Sequence, residues 1–401
     1  MTVSAIDRYR IGRNPQPPVL AAEQLDSFIA GMRTESPYVL GFPGNLDFSY
    51  SRFGGLLDIL TNNVGDPGSD EKSGISSKAM ERAVVEATAE LANAQAEATF
   101  GYVASGGSEA NQFGLDRGCT YLPDARVFCS SATHYSVVKN VRLMRRELAI
   151  LPADQLGRMD VAALERECRK DRGRGAVVVA NAGTTMTGAI DDVAAVVEAA
   201  GSAGRVYVHL DAALSGLILP FTEQASSWGF AHPAVGSLGM SMHKLLGMPV
   251  PCAVALCRTE FVQAPPVSEY IGITDSTLSC SRSGLAASLI WYAMAVRGAI
   301  GLERTAHSAL KRAQYISDRL VDLGLRTLVN PNSIIVVFDR PAEWICRKYH
   351  LATEAEVAHI VALPHITSEV IDELCDDLAK SRARLRGTGA DPYRVDHHTA
   401  V

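Results

Sequence analysis

A seven-residue stretch of the chain reads Ser241-Met242-His243-Lys244-Leu245-Leu246-Gly247 and follows a segment, residues 235–240, that has the length and pattern of a short strand. The stretch therefore places a lysine beside a histidine at the end of a strand. A lysine side chain can condense with a carbonyl group, which makes Lys244 a candidate for covalent attachment of a cofactor. The alternative for so short a motif is an ordinary surface lysine in a loop, so the sequence upstream has to decide.

Two upstream motifs support the cofactor interpretation. The apolar run Val206-Tyr207-Val208-His209-Leu210-Asp211 ends in an aspartate, and the loop Gly106-Gly107-Ser108-Glu109-Ala110-Asn111 opens a segment with helical character. Glycines at a helix start offer backbone N–H groups and the positive end of the helix dipole to a phosphate. A carboxylate at the end of an apolar strand needs a partner, which a protonated pyridine nitrogen would supply. With Lys244, these motifs predict a site for pyridoxal phosphate.

Three other side chains fit the same interpretation. His134, in the segment Ala132-Thr133-His134-Tyr135-Ser136, can stack on a pyridine ring and reach a substrate carboxylate, while Ser241 and His243 can donate to phosphate. Each motif also has a structural alternative when it is taken alone. The glycine loop could be an ordinary strand-to-helix turn, Asp211 could cap a helix, and a single histidine is often a structural residue.

Short apolar runs alternate with helical stretches from residue 101 onward. We predict strands at residues 101–104, 126–129, 148–151, 176–181, 206–211 and 253–257. This alternation predicts an α/β fold with a mostly parallel, doubly wound sheet. Because ligands of such sheets bind beyond the carboxyl ends of the strands, Asp211, the glycine loop and the segment Asn181-Ala182-Gly183-Thr184-Thr185 are expected to lie close together.

The pattern also divides the chain into four parts. We predict an N-terminal arm and helix (1–45), a large cofactor-binding domain (46–300), a small C-terminal α+β domain (301–383) and a disordered tail (384–401). The arm is expected to be loose up to about residue 20, with a helical pattern from about Ala22. The other predicted elements are an amphipathic helix at 79–95, helices at 284–298 and 302–323, and a strand at 332–338.

The composition excludes several functional classes. The 401 residues are 47% hydrophobic and 20% charged with a net charge of −6, which is typical of a globular protein and argues against a nucleic-acid partner. The eight cysteines show no C-x-x-C pair and no zinc spacing, so we predict reduced thiols and no metal site. The N-terminus lacks the apolar run of a signal peptide and no segment is predicted to span a membrane, so we expect a cytoplasmic enzyme.

These motifs occur in the order typical of one family. The chain resembles the pyridoxal-phosphate-dependent group II amino-acid decarboxylases, of the bacterial histidine decarboxylase and plant serine decarboxylase type. The resemblance covers about residues 38–380. The similar segments are residues 102–111, 133–137, 181–192, 209–216, 241–252 and 332–338.

The resemblance implies a fold-type I enzyme that is a homodimer with its active site at the subunit interface. It implies that Lys244 holds pyridoxal 5'-phosphate as an imine, that Asp211 binds the ring nitrogen and that His134 lies over the ring. The implied reaction is removal of the α-carboxylate of an L-amino acid as CO2, which gives a primary amine. The other implied cofactor contacts are Gly106, Gly107, Ser108, Thr184, Ala213, Ser241 and His243.

The sequence departs from the family pattern at two places. Met242 stands where the related enzymes usually carry glycine, and Leu285 stands in a segment near the expected pocket where they usually carry a histidine. The tripeptide Gly65-Asp66-Pro67 is similar to the serine decarboxylases, so we expect a small or apolar substrate side chain rather than imidazole. An aminotransferase, a decarboxylation-dependent aldehyde synthase and a catalytically silent pyridoxal-binding protein remain as alternatives.

Overall fold

The computed structural model describes residues 9–69, 74–263, 267 and 269–387. Its strands in chain order are β1 (Asn62–Val64), β2 (Thr99–Ala104), β3 (Arg126–Ser130), β4 (Leu148–Leu151), β5 (Ala176–Asn181), β6 (Val206–Asp211), β7 (Val235–Ser241), β8 (Ala253–Arg258), β9 (Ser281–Ser283), β10 (Thr327–Leu328), β11 (Ile335–Asp339), β12 (Ala352–Glu354) and β13 (Val357–Val361). Its α-helices are α1 (Pro18–Glu35), α2 (Lys78–Leu91), α3 (Gly107–Tyr121), α4 (Tyr135–Leu143), α5 (Val161–Lys170), α6 (Val193–Ala200), α7 (Gly284–Asp322), α8 (Glu343–Lys348) and α9 (Ser368–Gly387).

A seven-stranded sheet in the order β2-β8-β7-β6-β5-β3-β4 forms the centre of the fold. Five of its strands, β3 to β7, pair in parallel, whereas β8 runs antiparallel to its neighbours β2 and β7. The predicted mostly parallel sheet is thereby confirmed. All seven predicted strands of this sheet, including the one at residues 235–240, are present; three have the predicted ends and four have one end shifted by one or two residues.

The central strand β5 explains why the sheet carries helices on both faces. Every residue of β5 is buried, and side chains of successive strand residues point to opposite faces. Val177 and Val179 pack with residues of α3 and α4, whereas Val178 packs with Leu164 of α5 and Val196 of α6. A strand that is apolar on both faces is stable only between two layers of helices, which is the doubly wound arrangement.

The C-terminal part adds a four-stranded antiparallel sheet in the order β10-β11-β13-β12. Its apolar residues share one hydrophobic core with the large sheet, and that core includes Val336 of β11 and Leu238 of β7. Helix α7 connects the two parts, and the predicted domain boundary at residues 300 and 301 falls inside it. The backbone of α7 is non-helical at Gly298, where φ is 57°, so the two predicted helices are the two halves of one kinked element.

Helix α7 corrects one sequence prediction. Its 39 residues contain an 18-residue window with a mean hydropathy of 1.5, so by length and composition alone it could cross a membrane, contrary to the expectation that no segment reaches this length. Its buried residues lie on both sides of the kink and include Ile290 and Ile316, which belong to the shared core. The apolar side chains of α7 are therefore used for packing in the core that the two sheets share.

The two ends of the chain differ from the predicted boundaries. Helix α1 begins at Pro18, four residues before the predicted start, and has no buried residue. Helix α9 continues to Gly387, so the predicted disordered tail, residues 384–401, starts too early; residues 388–401 lie outside the described part of the chain. All eight cysteines are free thiols, and all except Cys280 are buried.

Candidate active site

One cavity of about 420 Å³ lies at the carboxyl ends of the parallel strands, against the small sheet. The structure brings all ten predicted site residues to its wall, and the strand-end argument predicted this for Asp211, the glycine loop and residues 181–185. The ten residues are Gly106, Gly107, Ser108, His134, Thr184, Asp211, Ala213, Ser241, His243 and Lys244. The sequence motifs are separated by more than 130 residues along the chain, and the parallel sheet is what joins them.

Lys244 lies in a π-helical turn, His243–Gly247, that directly follows β7. Such turns are frequent at functional sites. Burial lowers the pKa of the Lys244 ammonium group, and the nearby Asp211 carboxylate only partly offsets this effect. A lowered pKa increases the fraction of neutral amine, which is the form that reacts with a carbonyl group.

The backbone of this turn is fixed by residues from the N-terminal part of the chain. The N–H group of Asn45 donates to the carbonyl oxygen of Lys244 at 3.1 Å, and its Nδ2 donates to Leu245 at 2.9 Å. The hydroxyl of Tyr50 donates to Gly247 at 2.8 Å. Sequence reasoning missed these two anchoring residues, because no local pattern indicates which distant segment they contact.

Asp211 is buried at the end of β6, next to Gly239 of β7. Its Oδ2 accepts a hydrogen bond from Asn111 Nδ2 at 2.8 Å, and its Oδ1 accepts one from the N–H group of Ala213 at 3.2 Å. A carboxylate offers about four acceptor positions. Two of them remain for a cationic donor in the cavity, and the protonated nitrogen of a pyridine ring has the required charge and geometry.

His134 follows β3 and forms the N-cap of α4, where its Nδ1 accepts from the N–H group of Ser136 at 3.3 Å. The Ser136 hydroxyl lies 2.8 Å from the same nitrogen. Burial lowers the pKa of His134, Asp211 raises it, and Lys244 lowers it further. The two contacts at Nδ1 fix the ring and leave the other nitrogen of His134 for the cavity.

The glycine loop is shaped for close approach of a ligand to the backbone. Helix α3 starts at Gly107, and a Cβ atom at that position would lie 2.7 Å from the Ser241 hydroxyl oxygen. The first backbone N–H groups of a helix have no acceptor within the helix and attract an anion. Gly107 therefore lets the start of α3 pack close to Ser241. The hydroxyls of Ser108 and Ser241 and the first N–H groups of α3 lie at the same part of the cavity wall, where they would hold a phosphate group.

Two predicted phosphate or cofactor contacts have side chains that are already engaged. The Thr184 hydroxyl lies 2.9 Å from that of Thr187 and accepts from the N–H group of Ala189 at 3.0 Å, so it holds its own loop together. His243 Nδ1 lies 2.9 Å from the Cys252 carbonyl oxygen. Burial lowers the pKa of His243, with Lys244 acting in the same direction, while the hydrogen bond to Cys252 raises it.

The wall opposite the strand ends is mostly apolar, and sequence reasoning missed it. It is formed by the turn at residues 41–43 and by the small sheet, and its apolar side chains are those of Phe42, Pro43, Ile335, Ala352 and Val361. His359 joins these segments, because its Nε2 lies 2.9 Å from the carbonyl oxygen of Gly41 and its Nδ1 lies 3.1 Å from that of Met186. Burial lowers the pKa of His359, and these two contacts raise it.

Two residues used to predict the substrate lie elsewhere in the described chain. Leu285, on α7, packs against the main hydrophobic core and is not part of the cavity wall. Asp66 accepts from the Thr274 hydroxyl at 2.8 Å and from the Ser276 N–H group at 2.6 Å, so Gly65-Asp66-Pro67 holds the segment before β9. Neither Leu285 nor Gly65-Asp66-Pro67 contacts the cavity within one chain. These two features therefore give no geometric support to the prediction of a small or apolar substrate side chain. Met242 is also buried in the main core.

The fold and the site define a pyridoxal-phosphate-dependent enzyme. A sequence profile described as "Pyridoxal-dependent decarboxylase conserved domain" matches residues 121–339. Serine decarboxylase 3 of Oryza sativa subsp. japonica is 37% identical over 352 residues, covering 86% of this chain and 78% of the relative. Histidine decarboxylase of Morganella morganii is 36% identical over 361 residues, covering 88% and 95%. The chain therefore belongs to the pyridoxal-dependent decarboxylase family, which confirms the resemblance inferred from the motifs.

A solved structure supports the fold assignment. L-methionine decarboxylase from Streptomyces sp. 590 superposes with a TM-score of 0.85, covers 96% of this chain and 99% of that chain, and is 21% identical in sequence. The protein is thus a fold-type I enzyme that uses pyridoxal 5'-phosphate, and it is an amino-acid decarboxylase.

Proposed function

We propose that the protein removes the α-carboxylate of an L-amino acid with a small or medium-sized, apolar or hydroxylated side chain and releases the corresponding primary amine. The observation that carries this proposal is the composition of the two sides of the cavity. The cofactor side contains Lys244, Asp211 and His134, and the substrate side contains the apolar wall formed by Phe42, Pro43, Ile335, Ala352 and Val361.

The roles of the cofactor side follow from its chemistry. When bound, pyridoxal phosphate supplies an electron-accepting ring that stabilises the negative charge left at Cα when CO2 departs. Asp211 would hold the proton on the ring nitrogen, His134 would cover the ring, and the start of α3 would hold the phosphate with Ser108 and Ser241. Lys244 would attach the cofactor covalently and, once displaced by substrate, its amine would carry a proton to Cα.

The charges around the cavity favour loss of a carboxylate over its retention. Among the described residues that line it there is no arginine, and the cationic candidates are Lys244 and three histidines, His134, His243 and His359. Burial lowers the pKa of all four groups. A carboxylate that is not held by a fixed cation gains less ground-state stabilisation, so less is lost when it leaves as neutral CO2. This favours decarboxylation over the aminotransferase alternative.

The size of the cavity limits the substrate. Its volume of about 420 Å³ lies near the lower end of the range for ligand sites, about 300 to 1,000 Å³, and it has to hold the cofactor as well as the amino acid. An imidazole would enter the apolar wall with two polar nitrogens, each of which loses about 1–3 kcal/mol if it finds no partner there. Serine and histidine are the substrates named for two relatives, and methionine is named for the structural neighbour.

A substrate panel tests this proposal. The purified holoenzyme is incubated with histidine, serine, valine, leucine and methionine, and CO2 and primary amine are measured for each. We expect equal amounts of the two products and the highest kcat/KM for one of the four substrates other than histidine. A clear preference for histidine would overturn the substrate class, and a keto acid or aldehyde in place of the amine would overturn the reaction.

We further propose that the protein is a homodimer whose active site lies at the subunit interface. Helix α1 supports this proposal, because its apolar residues Leu25, Phe28, Ile29 and Met32 follow the spacing of one helix face and are all exposed. A continuous apolar face on an exposed helix is normally covered by a partner.

We also propose that the protein is located in the cytoplasm. The eight free thiols agree with a reducing compartment.

The dimer can be tested on helix α1. Phe28→Glu places a charge on the apolar face, whereas Glu23→Lys changes a charge on the opposite face and serves as the matched control. We expect sedimentation to give twice the chain mass for the wild type and the control. For Phe28→Glu we expect the mass of a single chain, or a dimer that dissociates at a higher protein concentration than the wild type. A wild-type protein that sediments as a single chain would contradict the proposal.

A further inference from the structure

A chain of buried hydrogen bonds runs from the interior of the protein to Asp211. His209 precedes Asp211 by two residues on β6, so both side chains point to the same face of the sheet. His209 Nδ1 lies 2.9 Å from the Ser237 hydroxyl, and its Nε2 lies 3.0 Å from Asn111 Oδ1. Asn111 Nδ2 then reaches Asp211 Oδ2 at 2.8 Å. All four residues are buried.

The direction of every bond in this chain is determined by the carboxylate. An ionised carboxylate only accepts, so the NH2 group of Asn111 faces Asp211 and its carbonyl oxygen faces His209. That oxygen also only accepts, so His209 carries its proton on Nε2. His209 Nδ1 is then an acceptor, which the Ser237 hydroxyl supplies with a hydrogen. A neutral imidazole in one tautomer satisfies the whole chain, and burial lowers the pKa of His209 well below its usual value.

Helix α3 packs closely against the imidazole of His209. A Cβ atom at Gly114 would lie 2.0 Å from His209 Nδ1 and 2.6 Å from the Ser237 hydroxyl oxygen, so only glycine allows the helix to pack here. Gly107, Asn111 and Gly114 follow one another at spacings of four and three and therefore lie on one face of α3. The helix that begins at the phosphate loop thus also carries the amide that contacts Asp211.

We propose that His209 is a positioning residue that acts through Asn111 to keep the Asp211 carboxylate aimed at the pyridine nitrogen of the cofactor. This inference rests on the proposed role of Asp211. Without the Nε2–H group of His209, the Asn111 amide could rotate by 180° and present its oxygen to the carboxylate. Asp211 would lose the hydrogen bond that orients its carboxylate, and its contact with the protonated ring nitrogen would weaken.

The test compares two substitutions of His209 in the holoenzyme. The side chain in His209→Gln still offers one donor and one acceptor, whereas that in His209→Phe fills similar space without either. We expect His209→Phe to lower kcat by about tenfold with little change in KM, and to shift the pH at which the absorbance of the bound cofactor changes. We expect His209→Gln to restore most of kcat and the wild-type absorbance titration. If the glutamine and phenylalanine variants behave alike, or if the absorbance titration of His209→Phe is unchanged, the proposal is wrong.

Asp211→Asn separates failure of this inference from failure of the proposed function. If Asp211→Asn alone leaves turnover and the absorbance titration unchanged, the role assigned to Asp211 is wrong. If Asp211→Asn has a large effect, His209→Phe should add little in the Asp211→Asn background, because both changes act on the same contact. If the two effects are fully additive, His209 does not act through Asp211 and the proposal is wrong, while Asp211 keeps its role at the ring nitrogen. If His209→Phe does not fold, Asn111→Leu can replace it, because it removes the same contact to Asp211. We expect the same absorbance shift in Asn111→Leu. A wild-type absorbance titration in that variant would refute the proposed role of His209.

Discussion

The cofactor side and the substrate side of the cavity are built in different ways. On the cofactor side, Asp211 and Lys244 follow directly from the ends of neighbouring strands, and hydrogen bonds from Asn111 and Asn45 fix them in place. On the substrate side, Phe42 belongs to a turn and Ala352 to a short strand of the small sheet, and both contribute apolar surface. The ends of the parallel strands hold the groups proposed for the chemistry, whereas a turn and the small sheet supply the apolar wall proposed to contact the substrate side chain.

This contrast leads to different expectations for mutations. A substitution on the cofactor side should affect turnover of every substrate, because it changes the stabilisation of charge in the transition state. A substitution on the substrate side should change the relative rates for different amino acids.

The largest effect is expected for Asp211→Asn. The amide cannot hold a proton on the pyridine nitrogen by charge, so turnover should fall by about two to three orders of magnitude for all substrates. Cofactor content should fall much less, because the phosphate contacts at the start of α3 remain. Steady-state rates and cofactor absorbance of the same preparation measure both quantities. Near-normal turnover in the folded variant would mean that Asp211 only stabilises the strand end.

A smaller loss is expected for His134→Phe. A phenyl ring can still cover the cofactor but offers no hydrogen bond and no proton, so kcat should fall by about 10²-fold, the lower end of typical general acid–base contributions. The neighbouring change Tyr135→Phe retains an aromatic ring at an exposed position and serves as the control. Full activity of His134→Phe would restrict that residue to packing.

Ala352→Leu should separate substrates. The larger side chain fills part of the apolar wall, so kcat/KM for leucine and methionine should fall by about 10- to 100-fold relative to serine. Thr353→Val is the matched control, because Thr353 is the next residue on the same strand and is not part of the cavity wall. An equal loss for all substrates would place Ala352 away from the substrate side chain.

The smallest effect is expected in the pH dependence of stability. Burial lowers the pKa of His134, His209, His243, His359 and His365 from a usual value of 6.5. The unfolded chain therefore binds protons at a higher pH than the folded protein does. Stability is fully present above about pH 6.5 and is lost as the pH falls below it, by up to about 1.4 kcal/mol per pH unit for each proton taken up on unfolding. Thermal unfolding at several pH values should show this decline, with a shallower slope for His209→Gln; a flat profile would contradict it.

The cofactor side was largely predictable from the sequence because its residues lie in short motifs next to strands. Asp211 and the glycine loop each allow a structural alternative when taken alone, and their expected meeting at the ends of the parallel strands favours one common site. His209 could have been found as well, since a residue two positions before Asp211 on a strand must face the same side. Its importance was hidden because a histidine inside an apolar run looks like an ordinary core residue.

The substrate side could not be predicted, because its residues come together only through tertiary contacts. Gly41 and His359 are separated by 318 positions and are joined by one hydrogen bond, which no local pattern signals. Leu285 shows the converse error: its segment was placed near the pocket from the resemblance, yet its side chain packs in the core. No residue of α7 lines the cavity, and the resemblance in sequence does not indicate which side of the segment faces the core.

The most direct measurement is chemical mapping of the covalent attachment site. The purified holoenzyme is reduced with borohydride and digested, and the modified peptide is identified by mass spectrometry. We predict a single pyridoxyl label on Lys244 in the wild type and in Asp211→Asn, and none at this position in Lys244→Ala, which should also lose measurable CO2 release. A label on another lysine, or decarboxylation that survives in Lys244→Ala, would contradict the assignment of this cavity as the active site.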